Sequence, residues 1–251
     1  MLFRSAFYIK NSVAFVTGTN RQRGIGRAVV RALLQRGAGK VYATARDTTQ
    51  LADLGRESEG RVVPVALDVT DEHTIAGLGE RFSDVNLVVN NAGLFGTPAP
   101  LGDATAALQE MRVNYTAPML ITQSFAPILA KHPPSAVVNI NSIASFVNFP
   151  LGTTYAASKA AAHSLTQAQR RELAPAGTLV VGVYPGPTDT DMADGMKLDK
   201  ASPSSVAEAL LDALESGTEY VYPDPISQNW SRALQADAKA LEREVATMAF
   251  P

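Results

Sequence analysis

Val13-Ala14-Phe15-Val16, running into Thr17-Gly18-Thr19-Asn20-Arg21-Gln22-Arg23-Gly24-Ile25-Gly26, decides the fold. The first four residues are an unbroken apolar run, the pattern of a strand covered on both faces. From Ile25 to Gln35 apolar residues fall at 25, 29, 33 and 34, the period of a helix with one buried face, and Gly37 stops it. A strand, a glycine-containing turn and a helix in that order put the free N–H groups and positive dipole end of the helix at the turn, where a phosphate binds. Gly24 and Gly26 let the backbone approach a pyrophosphate with no Cβ in the way. Glycines also occur in plain tight turns; their position between strand and helix is what points to a dinucleotide.

The same alternation continues along the chain. Apolar or β-branched runs at 41–45, 61–67, 87–89, 136–140, 178–183 and 220–222 read as strands. Helical stretches are expected over 71–82, over 103–130 with a kink at Pro118, over 153–173 and 203–215, and through the 230s and 240s. Strands alternating with helices require parallel pairing and right-handed crossovers, hence an α/β fold with a single-domain, Rossmann-like, doubly wound parallel sheet. No repeat or linker interrupts residues 1–251, which read as one dinucleotide-binding and catalytic domain.

Composition narrows the function. Of 251 residues 46% are hydrophobic and 18% charged, enough for a large core and too apolar for disorder. A net charge of −2 argues against a nucleic-acid surface. With no cysteine, disulfides, thiolate zinc sites and cysteine nucleophiles are excluded, and His73, His132 and His163 are too scattered for a metal cluster. No run reaches the roughly 20 apolar residues that cross a bilayer. The opening decapeptide lacks the core and cleavage site of a signal peptide, so a cytoplasmic protein without membrane or metal is expected.

Two further patterns bear on chemistry. In dinucleotide sites an acid near the end of the second strand takes the ribose 2′-OH. Here Ala45 stands in its place and Arg46 follows. Losing the acid removes repulsion against a 2′-phosphate, and a guanidinium grips that phosphate. Arg21 and Arg23 add positive charge, so NADP(H) is expected over NAD(H); the alternative is a solvated Arg46 with Asp47 turned in to the ribose. Tyr155 and Lys159, four apart on a helix, share a face. Bringing a tyrosine from about 10 to about 7 takes roughly 4 kcal/mol, the order one nearby cation supplies at an effective dielectric near 20.

These motifs occur in a shared order: Thr17-Gly18 with Gly24-Ile25-Gly26, Asp68-Val69, Asn90-Asn91-Ala92-Gly93, Asn114, Ser142 thirteen residues before Tyr155, Lys159, and Pro185-Gly186. In this the chain resembles the short-chain dehydrogenase/reductase family over roughly 12–195. The resemblance implies that Tyr155 is the general acid for a substrate oxygen. Lys159 would lower its pKa and bond the nicotinamide ribose, and Ser142 would orient the carbonyl. Asn114 would hold a relay water; Pro118, lacking an N–H, frees its carbonyl for that. Asp68 and Val69 would flank the adenine, Asn90, Ala92 and Gly93 support the cleft, and Pro185, Gly186, Thr188 and Thr190 line the nicotinamide side. Gly18, Asn20, Arg21, Arg23, Gly24, Ile25, Gly26 and Arg46 complete the cofactor set.

The chain departs from the family pattern in two places. Five residues separate Gly18 from Gly24 where three are usual, so the loop must bulge. After Tyr220-Val221-Tyr222-Pro223-Asp224-Pro225 comes a polar stretch from Gln228 to Thr247 instead of a glycine-rich end. Leu94, Phe95, Phe146, Asn148, Phe149, Tyr184, Met192 and Met196 are candidates to face substrate; being mostly apolar, they favour an uncharged ketone or aldehyde. The expected activity is NADPH-dependent reduction of a small-molecule carbonyl to an alcohol. The alternatives are an NAD-linked alcohol dehydrogenase and a non-catalytic dinucleotide-sensing regulator. Apolar residues on more than one face of 103–130 (Met111, Tyr115, Met119, Ile121) and 153–173 (Ala161, Leu165, Ala168) predict a homodimer or homotetramer.

Overall fold

The computed structural model describes residues 6–96, 99, 101–150, 152–195 and 197–248. Seven strands, β1 (Val13–Val16), β2 (Lys40–Ala45), β3 (Val62–Ala66), β4 (Leu87–Asn90), β5 (Ser135–Ile140), β6 (Thr178–Val183) and β7 (Tyr220–Val221), form one sheet in the order β3-β2-β1-β4-β5-β6-β7. Every pair is parallel. The strand order reverses beside β1, leaving a crevice between the loops after β1 and β4, the place such sheets reserve for ligands.

The helices are α1 (Ile25–Gln35), α2 (Ala52–Glu57), α3 (Glu72–Ile75), α4 (Leu78–Arg81), α5 (Ala104–Met111), α6 (Ala117–Leu129), α7 (Thr153–Leu173), α8 (Pro203–Ser216), α9 (Pro225–Ala236) and α10 (Ala238–Ala246). One face of the sheet packs Val29, Val30 and Leu33 of α1 and Leu210, Leu211 and Leu214 of α8. The other packs Ile75, Leu78, Ile121, Phe125 and Leu129 around Phe15. Both faces of the central strands are therefore dry, as the unbroken apolar runs required. Phe7 and Ile9, ahead of β1, are core residues.

Three expectations change. The helix read over 71–82 is two short helices, split where Gly77 takes a left-handed φ of +84°. The polar segment after β2 folds into a 3-10 turn, Thr48–Leu51, and α2; without an apolar period it gave no helical signal. The distortion in 103–130 is a π-turn over Arg112–Thr116: Ala117 N–H bonds the Arg112 carbonyl five residues back, and Pro118 has no N–H to resume the ladder. Of the apolar residues read on more than one face, Ile121 is core, and Met111, Tyr115, Met119, Ala161, Leu165 and Ala168 are half-buried.

Candidate active site

A cavity of about 930 Å³ opens over the carboxyl ends of the strands. The loop after β1 forms one end. Gly18 takes a φ of +69°, and a Cβ there would stand 2.8 Å from Ala92 Cα. Only glycine allows this approach of the β1 and β4 loops. Asn91 then locks the junction, its Nδ2 donating to the Thr17 and Gly18 carbonyls at 2.8 and 2.9 Å. Gly24 caps α1 with no side-chain bond and no acid in the first turn, so the helix start faces the cavity bare. That is a fit for a pyrophosphate. Gly18, Asn20, Arg21, Gly24 and Ile25 line the cavity. Gly26 lies behind it, where a Cβ would come within 2.7 Å of the Gly18 carbonyl oxygen, so it serves packing rather than direct contact.

The two extra loop residues are held from beneath by Arg27, which is fully buried. Its guanidinium donates to the carbonyls of Thr19 and Asn20 at 3.4 Å and of Gln50 at 2.6 Å, and pairs with Asp53. Burial would raise the Asp53 carboxyl, but the bonds from Arg27 and Gln22 outweigh it and hold the group at about 2. The loop arginines turn out differently from expectation. Arg23 lies outside the cavity lining and reaches Asp189 at 2.6 Å and Asp194 at 3.1 Å; Arg21 lines the cavity but pairs with Asp191 at 3.5 Å. The bulge carries both side chains across to the acids after β6.

At the end of β2, Ala45 and Arg46 line the cavity, and Arg46 is exposed. Asp47 does not line it; its carboxylate accepts from Thr49 N at 3.0 Å and Thr49 Oγ1 at 2.6 Å, capping the next turn. Asp68 and Val69 line the same end. Two bonds from Thr70 hold the Asp68 carboxyl below its usual value, with Arg46 and Arg112 adding to the effect. Arg112, unnoticed in the sequence, reaches this end from the π-turn.

The opposite wall holds Ser142, Tyr155 and Lys159. Ser142 Oγ accepts from Ala144 N at 3.1 Å and is hydrogen-bonded to Tyr155. Burial pushes the tyrosine hydroxyl up to about 12; the Ser142 bond opposes this, and the charge of Glu110 adds to it. Lys159 is buried, its Nζ donates to the Ile140 carbonyl at 2.9 Å, and burial lowers it to about 8. Its ammonium stands 5.7 Å from the Tyr155 ring centre. Desolvation sets the direction of both shifts, and the lysine is bound to a carbonyl.

Asn114 lies outside the lining. Its Nδ2 donates to the Leu94 carbonyl and to Ser158 Oγ, both at 2.8 Å, and its Oδ1 accepts from Leu94 N at 2.8 Å. Both Nδ2 donors are thus taken, and Pro118, having no N–H, cannot occupy the Asn114 backbone carbonyl, which stays available to a relay water. Asn90 is also behind the wall, donating to Thr122 Oγ1 at 3.2 Å and Asn139 Oδ1 at 2.9 Å, while Ala92 and Gly93 line it.

Pro185, Gly186, Thr188 and Thr190 line the far side, and Gly186 N donates to Asp224 at 2.8 Å. Of the expected substrate-facing residues Leu94, Phe95, Phe149 and Met192 line the cavity. Phe146 and Tyr184 do not; their rings pack tilted against each other at 4.9 Å beside His163 and Tyr222. Asn148 is exposed and donates to the Thr153 carbonyl at 3.4 Å. Met196 lies outside the described residues. The sequence reading missed Ile226, Asn229 and Trp230 of α9, and Glu244 and Met248 at α10, which close this end. Their signal was the amphipathic pattern of the C-terminal stretch and its lone tryptophan. A small separate core of Val147, Leu241 and Val245, with Phe149 and Trp230 against it, holds them there. Among the described residues no metal cluster occurs and no helix is long and apolar enough to cross a membrane.

Residues 12–201 match the family described as short chain dehydrogenase. The chain is similar to an oxidoreductase of Staphylococcus saprophyticus, 32% identical over 82% of this chain and 92% of the relative. It is similar to a short chain dehydrogenase of Monascus purpureus, 30% identical over 87% of this chain and 81% of that protein. Among solved structures it resembles a short chain dehydrogenase from Burkholderia cenocepacia in complex with NADP. The TM-score is 0.89 and the identity 38%, covering 96% of this chain and 100% of that one.

Proposed function

The chain belongs to the short-chain dehydrogenase/reductase family, and from that membership we propose an NADP(H)-dependent oxidoreductase that reduces an uncharged ketone or aldehyde to an alcohol. The observation that carries this reading is one continuous cavity with Arg46 beside Ala45 at one end and the bonded pair Ser142 and Tyr155 at the other. The NADP complex of the Burkholderia relative supports the cofactor. Arg46 would hold the 2′-phosphate, the bare start of α1 the pyrophosphate, Asp68 and Val69 the adenine end, and Lys159 the nicotinamide ribose. When bound, the reduced nicotinamide supplies hydride to the carbonyl carbon.

The protein supplies the proton and the orientation. Ser142 Oγ accepts from Ala144 N, and its O–H, bonded to Tyr155, turns to donate to a substrate oxygen. Tyr155, protonated across the physiological range, delivers its hydroxyl proton to that oxygen, and the carbonyl becomes an alcohol. Phe95 packs edge-on to the Tyr155 ring at 5.0 Å, and Phe95, Phe149, Met192 and Trp230 give the substrate end an apolar surface that excludes water. The test is a panel of aliphatic and aromatic carbonyls followed by loss of NADPH absorbance, repeated with NADH. Turnover with NADPH in preference to NADH is expected. No turnover of any carbonyl, or a preference for NADH, overturns the reading.

A further inference from the structure

Among the described residues the charged side chains lining the cavity are Arg21, Arg46, Arg112, Asp68, Lys159 and Glu244. The first four stand at the end assigned to the dinucleotide, and Lys159 stands beside Tyr155. Glu244 is left over. Leu241 and Val245 bury α10 against Phe149 and Trp230, and the Phe149 ring centre lies 6.4 Å from that of Tyr155. This packing turns Glu244 and Met248, four residues apart, to the substrate end of the cavity. The Glu244 backbone carbonyl is taken by Thr247 N at 3.1 Å and Thr247 Oγ1 at 2.8 Å. Its side chain is exposed, and among the described residues the carboxylate meets neither a donor nor a cation. On neighbouring α9, Ile226, Asn229 and Trp230 share one side and line the same end. Asn229 Oδ1 accepts from Arg232 Nη2 at 2.5 Å, which fixes the amide and leaves Nδ2 as a donor with no partner among the described residues.

Resting on the proposed carbonyl reduction, we propose that Glu244, with Asn229, selects the substrate: an uncharged ketone or aldehyde with an apolar body and a hydroxyl group at the end remote from the carbonyl. The body follows from the surface it meets, since Phe149, Met192 and Trp230 line the space between Tyr155 and α10. The far end follows from the two groups that wait there. A hydroxyl answers both at once: its O–H donates to the Glu244 carboxylate, and its oxygen accepts from Asn229 Nδ2. An ammonium answers only the carboxylate, in an exposed ion pair worth little, and meets the Arg232 guanidinium beside Asn229. A carboxylate on the substrate faces like charge, and the three arginines that could offset it line the opposite end. An alkyl terminus bonds to neither group.

The test uses protein loaded with NADP+, which has no hydride to give, so that ketones bind without reacting. Aryl methyl ketones carry on the ring an alkyl spacer of graded length ending in methyl, hydroxyl, ammonium or carboxylate, and binding is read by calorimetry. At the best spacer the hydroxyl member should bind roughly tenfold tighter than the methyl member, the lower end for a hydrogen bond to a charged group, with the carboxylate member weakest. Glu244→Ala should shrink the hydroxyl preference to within about twofold. Glu244→Gln should bind the carboxylate member more tightly than wild type does, a gain that a merely structural role would not produce. Glu242→Gln, on the same helix but outside the lining, should keep the wild-type ranking. Equal binding of the methyl and hydroxyl members at every spacer, or no binding by any member, overturns the proposal. So does a hydroxyl preference that survives Glu244→Ala, and tightest binding of the ammonium member would make the occupant a cation. The wild-type ranking stands even if a variant does not fold. Because no turnover is involved, the test is separate from the carbonyl-reduction reading, which falls if the carbonyl panel with NADPH shows no reduction.

Discussion

Arg23 Nη2 stands 2.6 Å from Asp189 Oδ1, so the bulged glycine loop after β1 is tied directly to the segment after β6. Asp194 takes the same guanidinium at 3.1 Å, and Arg21 adds a third link to Asp191. These links run between two of the segments that frame the cofactor end of the cavity. Exposed ion pairs contribute only about 0–1 kcal/mol each and weaken with salt. Arg23→Ala should therefore leave thermal stability nearly unchanged but release NADPH several-fold faster, and wild-type release should quicken with salt more than the variant's. Stopped-flow quenching of Trp230, the single tryptophan and a cavity residue, reads this. Identical release rates and salt slopes would remove the clasp.

Arg46→Ala tests the cofactor assignment. Hydrogen bonds to charged groups are worth about 1.5–3 kcal/mol, and for an exposed arginine the lower end applies, roughly tenfold weaker NADPH binding. NADH binding should barely move. Equal losses for both would show that Arg46 does not read the 2′-phosphate.

Tyr155→Phe keeps the ring against Phe95 and removes the proton donor, so turnover should fall by about 10²–10⁴ while NADPH still binds. Lys159→Met should harm both rate and cofactor affinity. Near-normal reduction by Tyr155→Phe would exclude the tyrosine as acid.

Arg27→Leu should destabilise the fold by about 3–5 kcal/mol, because it strands a partly buried Asp53 and releases the loop carbonyls of Thr19 and Asn20. The Asp53 carboxyl is held at about 2, below its unfolded value of 3.8. Its contribution is thus complete above about pH 4 and lost as pH falls through about 2. Acid unfolding followed by circular dichroism should show a shallower loss between pH 4 and 2 in Arg27→Leu than in wild type; superimposable slopes would contradict the linkage.

Half-buried Met111, Tyr115, Met119 and Leu165 leave apolar surface along the α5–α6 run and α7, and Leu108 beside them is 74% exposed. A second copy covering this surface is the expected outcome. Light scattering at micromolar protein should report at least a dimer, and Leu108→Glu should shift it toward monomer. A monomer in the wild type would show that these faces stay wet.

The sequence by itself determined the sheet. Runs such as Leu87–Asn90 and Thr178–Val183 are apolar throughout, which only a strand covered on both faces tolerates, and glycine turns between strands and helices leave parallel crossovers as the one connection. It also pointed to Ser142, Tyr155 and Lys159, through the resemblance that the ordered series of motifs carries and not through the spacing of any one pair. What only the tertiary structure decided depends on contacts between segments far apart in the chain. Arg23 was read as a phosphate ligand, but its partners Asp189 and Asp194 lie some 170 residues away. Arg27 shows a charged residue in a helical period that expects it at the surface; it is buried because carbonyls from two loops converge on it. Glu110 carries no local signal, since its burial against Gly96 comes from the packing of α5 against the wall rather than from sequence. Desolvation, which raises Tyr155 and lowers Lys159, is likewise a property of the closed cavity, and no spacing of residues along a chain encodes it.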